Sequence, residues 1–239
     1  MSFTPDEVMT VAAARKLTDR TVCFVGIGLP STAANLARLT QAPRTVLVYE
    51  SGTIGSKPAT LPLSIGDGEL AETADAVVPV PEIFNYWLQG GRIDVGFLGA
   101  AQIDRHGYLN STVIGDYERP KVRLPGGGGA PEIAAMAKEV IVIIRHSQRT
   151  FVERIHFRSS APGSGAMVVI TDLGELRLDR DHRELVLTRT HPGVSVEQVR
   201  SETGWDLRVA DDLAQTEPPS AEELRVLRRL KTALEEATA

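Results

Sequence analysis

Thr45-Val-Leu-Val-Tyr-Glu50-Ser-Gly-Thr-Ile-Gly-Ser-Lys-Pro58 is the stretch on which the reading of the fold turns. Val46 to Tyr49 form a short apolar run with β-branched Val46 and Val48, as expected of a strand buried in a parallel sheet. The run stops at a carboxylate, Glu50, followed by Ser51 and Gly52. In open α/β sheets ligands bind outside the carboxyl ends of the strands, so Glu50 is displayed where chemistry collects. Gly52 and Gly55 let the chain bend tightly just beyond it. Two readings stand side by side: Glu50 is a working group at a strand end, or it caps a loop or pairs with a surface arginine.

Outward from this stretch, composition bounds the answer. The chain has 239 residues, of which 42% are hydrophobic and only 5% aromatic, so a sizeable core must be built from Val, Ile, Leu and Ala. A net charge of −5 gives no electrostatic footprint for nucleic acid. The single cysteine, Cys23, lies in the apolar run Val22-Cys-Phe-Val-Gly26. It rules out an internal disulfide framework and fits a reducing cytoplasm; it reads as core, with a catalytic thiol as the alternative. No run of 18 apolar residues and no basic-then-apolar leader is evident, so a cytoplasmic protein without membrane segments is expected.

Toward the N-terminus, Thr4-Pro5-Asp6-Glu7 reads as a capping box opening a helix to about Leu17, with Val8, Val11, Ala12 and Ala14 inward. Thr21–Val25 predicts the first strand. Gly26-Ile-Gly28-Leu-Pro30-Ser31 then opens an Ala-rich helix. A strand, a glycine turn and a helix N-terminus suit an anion, but a tight turn with no ligand fits equally. It lacks the third glycine of a dinucleotide fingerprint.

Toward the C-terminus, residues 51–70 read as a Gly/Pro-rich loop of the kind active sites use. A short strand over 75–80, a helix over 81–89 stopped by Gly90-Gly91, and a buried strand over 93–98 follow. In the turn Asp104-Arg105-His106-Gly107, His106 is a candidate general base, though a solvated turn histidine fits the pattern better. The remaining pattern predicts strands over 140–144, 151–155, 167–171, 184–187 and 207–209, and a last amphipathic helix over 221–236. The charged face of that helix reads as solvated. The whole is an α/β fold, a single open, largely parallel sheet flanked by helices, in one domain spanning 1–239.

Leu124-Pro-Gly-Gly-Gly-Gly129-Ala-Pro-Glu132-Ile133 is the second unusual stretch. Ordering four glycines costs roughly 0.5–1 kcal/mol each relative to alanine, a cost best explained where backbone must approach a ligand. A helix start follows at once, so the amides of Gly127, Gly128, Gly129 and Ala130 can face an anion or an oxyanion. A flexible linker is the alternative, and the strand that follows at 140–144 speaks against it.

Glu50-Ser51-Gly52, Pro62-Leu-Ser-Ile-Gly-Asp67, the segment Gly99-Ala100-Ala101-Gln102-Ile-Asp104 and the glycine run together resemble the family I CoA-transferases. The likeness is to β subunits of the glutaconate and 3-oxoadipate type, and it extends from about Val22 to Pro192. The resemblance implies a NagB/RpiA-like sheet and Glu50 as the acylated nucleophile. It places Ser51, Gly52, Gly28 and Gln102 in support, and the glycine run as the CoA and oxyanion contact. It also implies a coenzyme A thioester as substrate, no tightly bound cofactor and no metal. The expected partner is an α subunit of similar fold, in an αβ pair or a dimer of such pairs. A hydrolase subunit for CoA-linked substrates on the same fold, and a non-catalytic binding subunit or regulator, are the alternatives. Retention of Glu50 favours transfer over the first; the acidic balance and missing helix-turn-helix speak against the second.

Overall fold

A computed structural model describes residues 2–238. The chain falls into two compact units, Met1–Phe97 with Pro219–Ala239, and Leu98–Pro218. The sheet is open, flanked by helices and largely parallel.

The first unit opens with helix α1 (Pro5–Ala14), started by the capping box the sequence predicts. Thr4 Oγ1 accepts the Glu7 amide at 3.3 Å and Glu7 Oε2 accepts the Thr4 amide at 2.9 Å. Strand β1 (Val22–Phe24) leads through a glycine turn to α2 (Leu29–Leu39) and β2 (Val46–Val48). A hairpin then gives β3 (Thr53–Ile54). Helix α3 (Gly68–Glu72) follows, capped by Asp67, and then β4 (Ala76–Val77). A short α4 (Val80–Glu82) widens into a π-helical stretch, Ile83–Leu88, marked by the bond from the Gln89 amide to the Phe84 carbonyl at 2.8 Å. Strand β5 is Val95–Leu98. The strand order is β5-β1-β2-β3-β4, with β5, β1 and β2 parallel and β3 and β4 antiparallel.

Between residues 51 and 70 the sequence reads as uninterrupted loop, but the chain makes β3 there and is pinned afterwards by acidic side chains. Glu69 accepts the Ala59 amide and the Thr60 hydroxyl, and Asp67 accepts the Leu63 amide. Cys23 is fully buried, and burial pushes its thiol far up, so the core reading holds and a reactive thiolate does not.

In the second unit, β6 (Gln102–Ile103) pairs with β7 (Leu109–Asn110), and β8 (Val113–Gly115) with β9 (Pro120–Arg123). Helix α5 (Ala130–Met136) leads to β10 (Glu139–Ile143), β11 (Ala166–Ile170), β12 (Gly174–Asp179) and β13 (Glu184–Thr190). Helix α6 (Val196–Ser201) and β14 (Arg208–Gln215) complete it. The order is β14-β13-β12-β11-β10, parallel at β10–β11 and β13–β14 and antiparallel between.

Residues 151–155, expected as a strand, make only a single bridge, Ile103 to Phe151. Phe151 is spent on packing instead: its ring lies 3.7 Å from that of His146 and 5.9 Å from that of Trp205. Burial pushes the His146 imidazole down to about 3, so it stays neutral between the Thr171 and Thr203 hydroxyls.

Helix α7 (Ala221–Thr238) belongs to the first unit. Its charged face is not simply solvated. Arg228 meets the buried Glu7 at 2.7 Å, and Glu223 takes a two-pronged bond from Arg15, also at 2.7 Å. The Arg228 guanidinium holds the Glu7 carboxyl below its usual range. Glu7 thus serves a cap and an ion pair at once. No helix among the described residues is long and apolar enough to cross a membrane.

Candidate active site

In a parallel sheet all strands end at one edge, and β1 and β2 are parallel with Val22, Cys23 and Phe24 opposite Val46, Leu47 and Val48. The Gly28 turn after β1 and the Glu50 turn after β2 therefore share the carboxyl edge of the first unit, where α/β sheets bind ligands. The Gly52 amide donates to the Tyr49 carbonyl at 3.0 Å, closing a four-residue turn with Glu50 and Ser51 in its two central positions. Two further bonds fix the return: the Tyr49 amide to the Thr53 carbonyl at 3.0 Å and the Gly55 amide to the Leu47 carbonyl at 2.8 Å. Glu50 is half-buried at the tip.

Gly52 is the one residue this turn cannot exchange. Its φ is +104°, and a Cβ there would collide with the Val78 carbonyl oxygen. The Val78 amide in turn donates to the Gly52 carbonyl at 2.9 Å, so the residue just after β4 braces the turn. Ser51 Oγ is buried and, among the described residues, has no hydrogen-bond partner, and the same is true of Thr53 Oγ1. Buried hydroxyls are seldom left so.

Beneath the turn, Tyr49 is fully buried, and burial pushes its phenol up. Its hydroxyl lies 3.4 Å from Ser31 Oγ; Asn35 Nδ2 donates to Ser31 Oγ at 3.3 Å; Arg38 donates to Asn35 Oδ1 at 3.2 Å and to the Pro58 carbonyl at 2.7 Å. This polar file on α2 ties the strand end to the loop after it. The sequence reading passed over it, although Ser31, Asn35 and Arg38 recur at helical spacing, which is the signal that could have found it. Gly28, at φ +84°, is the N-cap of α2, and its carbonyl accepts both the amide and the hydroxyl of Thr32.

The second unit holds Gln102 and the glycine run. Gln102 is buried, and its Oε1 accepts Asn110 Nδ2 at 2.8 Å and the His156 amide at 3.2 Å. Asn110 precedes Ser111, whose hydroxyl donates to the Gly126 carbonyl at 2.9 Å and whose carbonyl accepts the Gly126 amide at 2.8 Å. Gln102 and the start of the glycine run are thus joined through β7. Gly126 and Gly128 take φ of +104° and +52°, and nothing lies within 4 Å of a Cβ built on either. Ala130 donates to the Gly127 carbonyl. Among the described residues no partner is seen for the amides of Gly127, Gly128 and Gly129. His106 is exposed on the expected turn, which Asp104 Oδ1 closes by accepting the amides of His106 and Tyr108.

Comparison with known proteins gives a consistent picture. A family model described as coenzyme A transferase matches residues 7–202. The chain is 57% identical to the B subunit of 3-oxoadipate CoA-transferase from Pseudomonas knackmussii, over 96% of this chain and 94% of that one. It is 32% identical to the B subunit of glutaconate CoA-transferase from Acidaminococcus fermentans, over 95% and 92% of the two chains. The crystal structure of glutaconate coenzyme A-transferase from the same organism superposes with a TM-score of 0.88 at 30% identity, covering 95% of this chain and 94% of that one.

Proposed function

The chain belongs to the coenzyme A transferase family, and from that premise we propose that it is the β subunit of an acyl-CoA:carboxylate CoA-transferase acting through Glu50. The observation that carries the proposal is a half-buried carboxylate held at the tip of a turn that only glycine can close, at the carboxyl edge of a parallel sheet.

Transfer between two acids needs a group that can itself be acylated. The Glu50 carboxylate attacks the thioester carbonyl, and the C–S bond breaks to give an acyl-glutamyl anhydride and CoA thiolate. The thiolate then attacks the glutamyl carbonyl, leaving a glutamyl-CoA thioester and the free donor acid. A second carboxylate runs both steps backwards. This is covalent catalysis with ping-pong kinetics, and as written it needs a CoA thioester as substrate and no tightly bound cofactor. Each step passes through a tetrahedral oxyanion, for which preorganised N–H donors are the usual complement. We assign that contact, or close approach of CoA, to Gly127–Ala130. Ser51 and Gln102 are support, and Gly52 and Gly28 shape the turns.

Both of these relatives are, by name, the B subunits of their enzymes, so the chain is taken as one half of an enzyme completed by an α subunit of similar fold. We read residues 1–239 as one functional domain, because the family model runs across the boundary between the two compact units. A cytoplasmic setting fits the lone, buried thiol.

The acceptor is proposed to be 3-oxoadipate or a similar short 3-oxo dicarboxylate, on the likeness to the 3-oxoadipate enzyme. With its α subunit and a succinyl-CoA donor, the enzyme is expected to show parallel double-reciprocal plots and a higher kcat/KM for 3-oxoadipate than for glutaconate. CoA release that proceeds equally fast without any acceptor would instead favour the hydrolase reading.

The glycine run has its own test. Asparagine tolerates the left-handed backbone of Gly128, so Gly128→Asn adds a side chain without forcing the turn. Turnover is expected to fall on the order of 10²-fold, as when one oxyanion donor is lost. An ordinary rate from the folded variant would reduce the run to a turn.

A further inference from the structure

A cavity of about 550 Å³ in the second unit lies within the range of roughly 300–1,000 Å³ typical of small-molecule sites. Its polar wall carries two guanidiniums, Arg180 and Arg183, and two imidazoles, His106 and His182, and its other walls include Tyr108 and Leu178. The one carboxylate on the lining, Asp179, is already engaged: it accepts His182 Nδ1 at 2.5 Å and lies 3.5 Å from Arg208. Arg158 sits 3.7 Å over the Tyr108 ring and adds positive charge behind that wall.

Its geometry is held in place. The hairpin between β12 and β13 carries Arg180 to Arg183. Arg183 adopts φ +56°, a left-handed conformation that a long side chain takes only at a cost. His106 Nδ1 donates to the Arg183 carbonyl at 2.8 Å and fixes it there. Arg180 spends one of its five donors on the Gly165 carbonyl, which leaves the rest of its fork for another acceptor. Two guanidiniums on one lining with aromatic and aliphatic walls suit an organic phosphate, since the fork matches phosphate oxygens in two-pronged fashion.

We propose that this cavity binds a phosphate-bearing ligand of nucleotide size, with Arg180 and Arg183 on the phosphate and Tyr108 and Leu178 against the organic body. The proposal stands apart from the Glu50 assignment. Two sources share this chemistry, the nucleotide end of coenzyme A and a separate nucleotide.

The test is calorimetric titration of the assembled enzyme with adenosine 3′,5′-bisphosphate, with adenosine as the phosphate-free control. Saturable binding of the bisphosphate and none of adenosine are expected. Arg183→Gly, which suits the left-handed backbone, should weaken binding at least about tenfold, as loss of a charge-assisted contact does; adding Arg180→Ala should weaken it further. Arg225→Ala on α7 is the control that leaves binding unchanged. If the source is coenzyme A, the double variant raises KM for acyl-CoA at constant kcat and CoA displaces the bisphosphate. If it is a separate nucleotide, KM holds and CoA does not displace it. Equal affinity in the double variant and the native enzyme, or no saturable binding up to millimolar ligand, overturns the proposal.

Discussion

Glu50→Ala is expected to abolish CoA transfer, with a loss on the order of 10⁴- to 10⁶-fold, the scale reached when a covalent nucleophile is removed. The fold should survive, because the turn is closed by backbone bonds of Tyr49, Gly52 and Gly55 that do not involve the side chain at position 50. Two acids on the segments that follow are otherwise engaged. Asp67 is committed to capping α3 and Asp75 to Lys57. Glu50→Gln keeps the shape without the nucleophile and should be equally dead. Glu50→Asp withdraws the attacking oxygen by about 1 Å, a displacement that can cost roughly 10²-fold.

The decisive readout is the covalent intermediate. A general base and a nucleophile leave different marks on the enzyme. If Glu50 merely activated water, acyl-CoA without an acceptor would be hydrolysed and no CoA would remain on the protein. A nucleophile instead accumulates the glutamyl-CoA thioester. Borohydride reduces that thioester to an alcohol and inactivates the enzyme, and hydroxylamine converts it to a hydroxamate. Peptide mapping after either treatment should locate the change at Glu50. A label elsewhere, or none, would refute the mechanism.

The second large effect is expected from the missing half. Purified alone, the chain should show no turnover above background, and addition of its α subunit should restore transfer. Segments of the first unit after the Glu50 turn expose Leu63 (56%), Val77 (60%), Val80 (47%) and Tyr86 (61%). Where exposed apolar side chains form a contiguous patch, they mark a surface that another protein covers, and this is the surface on which the α subunit is expected. Val77 is paired with Thr53, two residues from Ser51, so this apolar segment begins beside the nucleophile's turn. Full transferase turnover from a preparation with no second polypeptide would disprove the two-subunit reading. Mass analysis of the restored enzyme would distinguish an αβ pair from a dimer of pairs.

Features written in a few neighbouring residues were legible in the sequence. The capping box Thr4–Glu7, the β2 strand with a carboxylate at its end and the tight Gly52 turn each depend on local backbone preference. The motif around Glu50 and the glycine run also sufficed to place the chain in its family. Strand limits were less legible. The alternation of Leu176 and Leu178 with Arg177 and Asp179 in β12 is too short to stand out as a strand, whereas the stretch 151–155 reads as one and makes a single bridge.

Tertiary structure decided the pairings, because a contact between residues far apart in the chain leaves no periodic trace in either segment. Glu7 reads as a cap, yet its burial follows from Arg228, 221 residues away. Tyr49 reads as the end of a strand, and only the packing of α2 on it shows a polar file from Ser31 to Arg38 beneath the nucleophile's turn. Gln102 reads as a motif residue, and the fold spends its carbonyl on Asn110 and His156. The cationic cavity has no motif at all. It forms because the β12–β13 hairpin brings Arg183 to His106, 77 residues back along the chain. Local propensity fixes where the backbone turns, whereas buried charges and polar groups find partners only when the core closes and water is no longer there to solvate them.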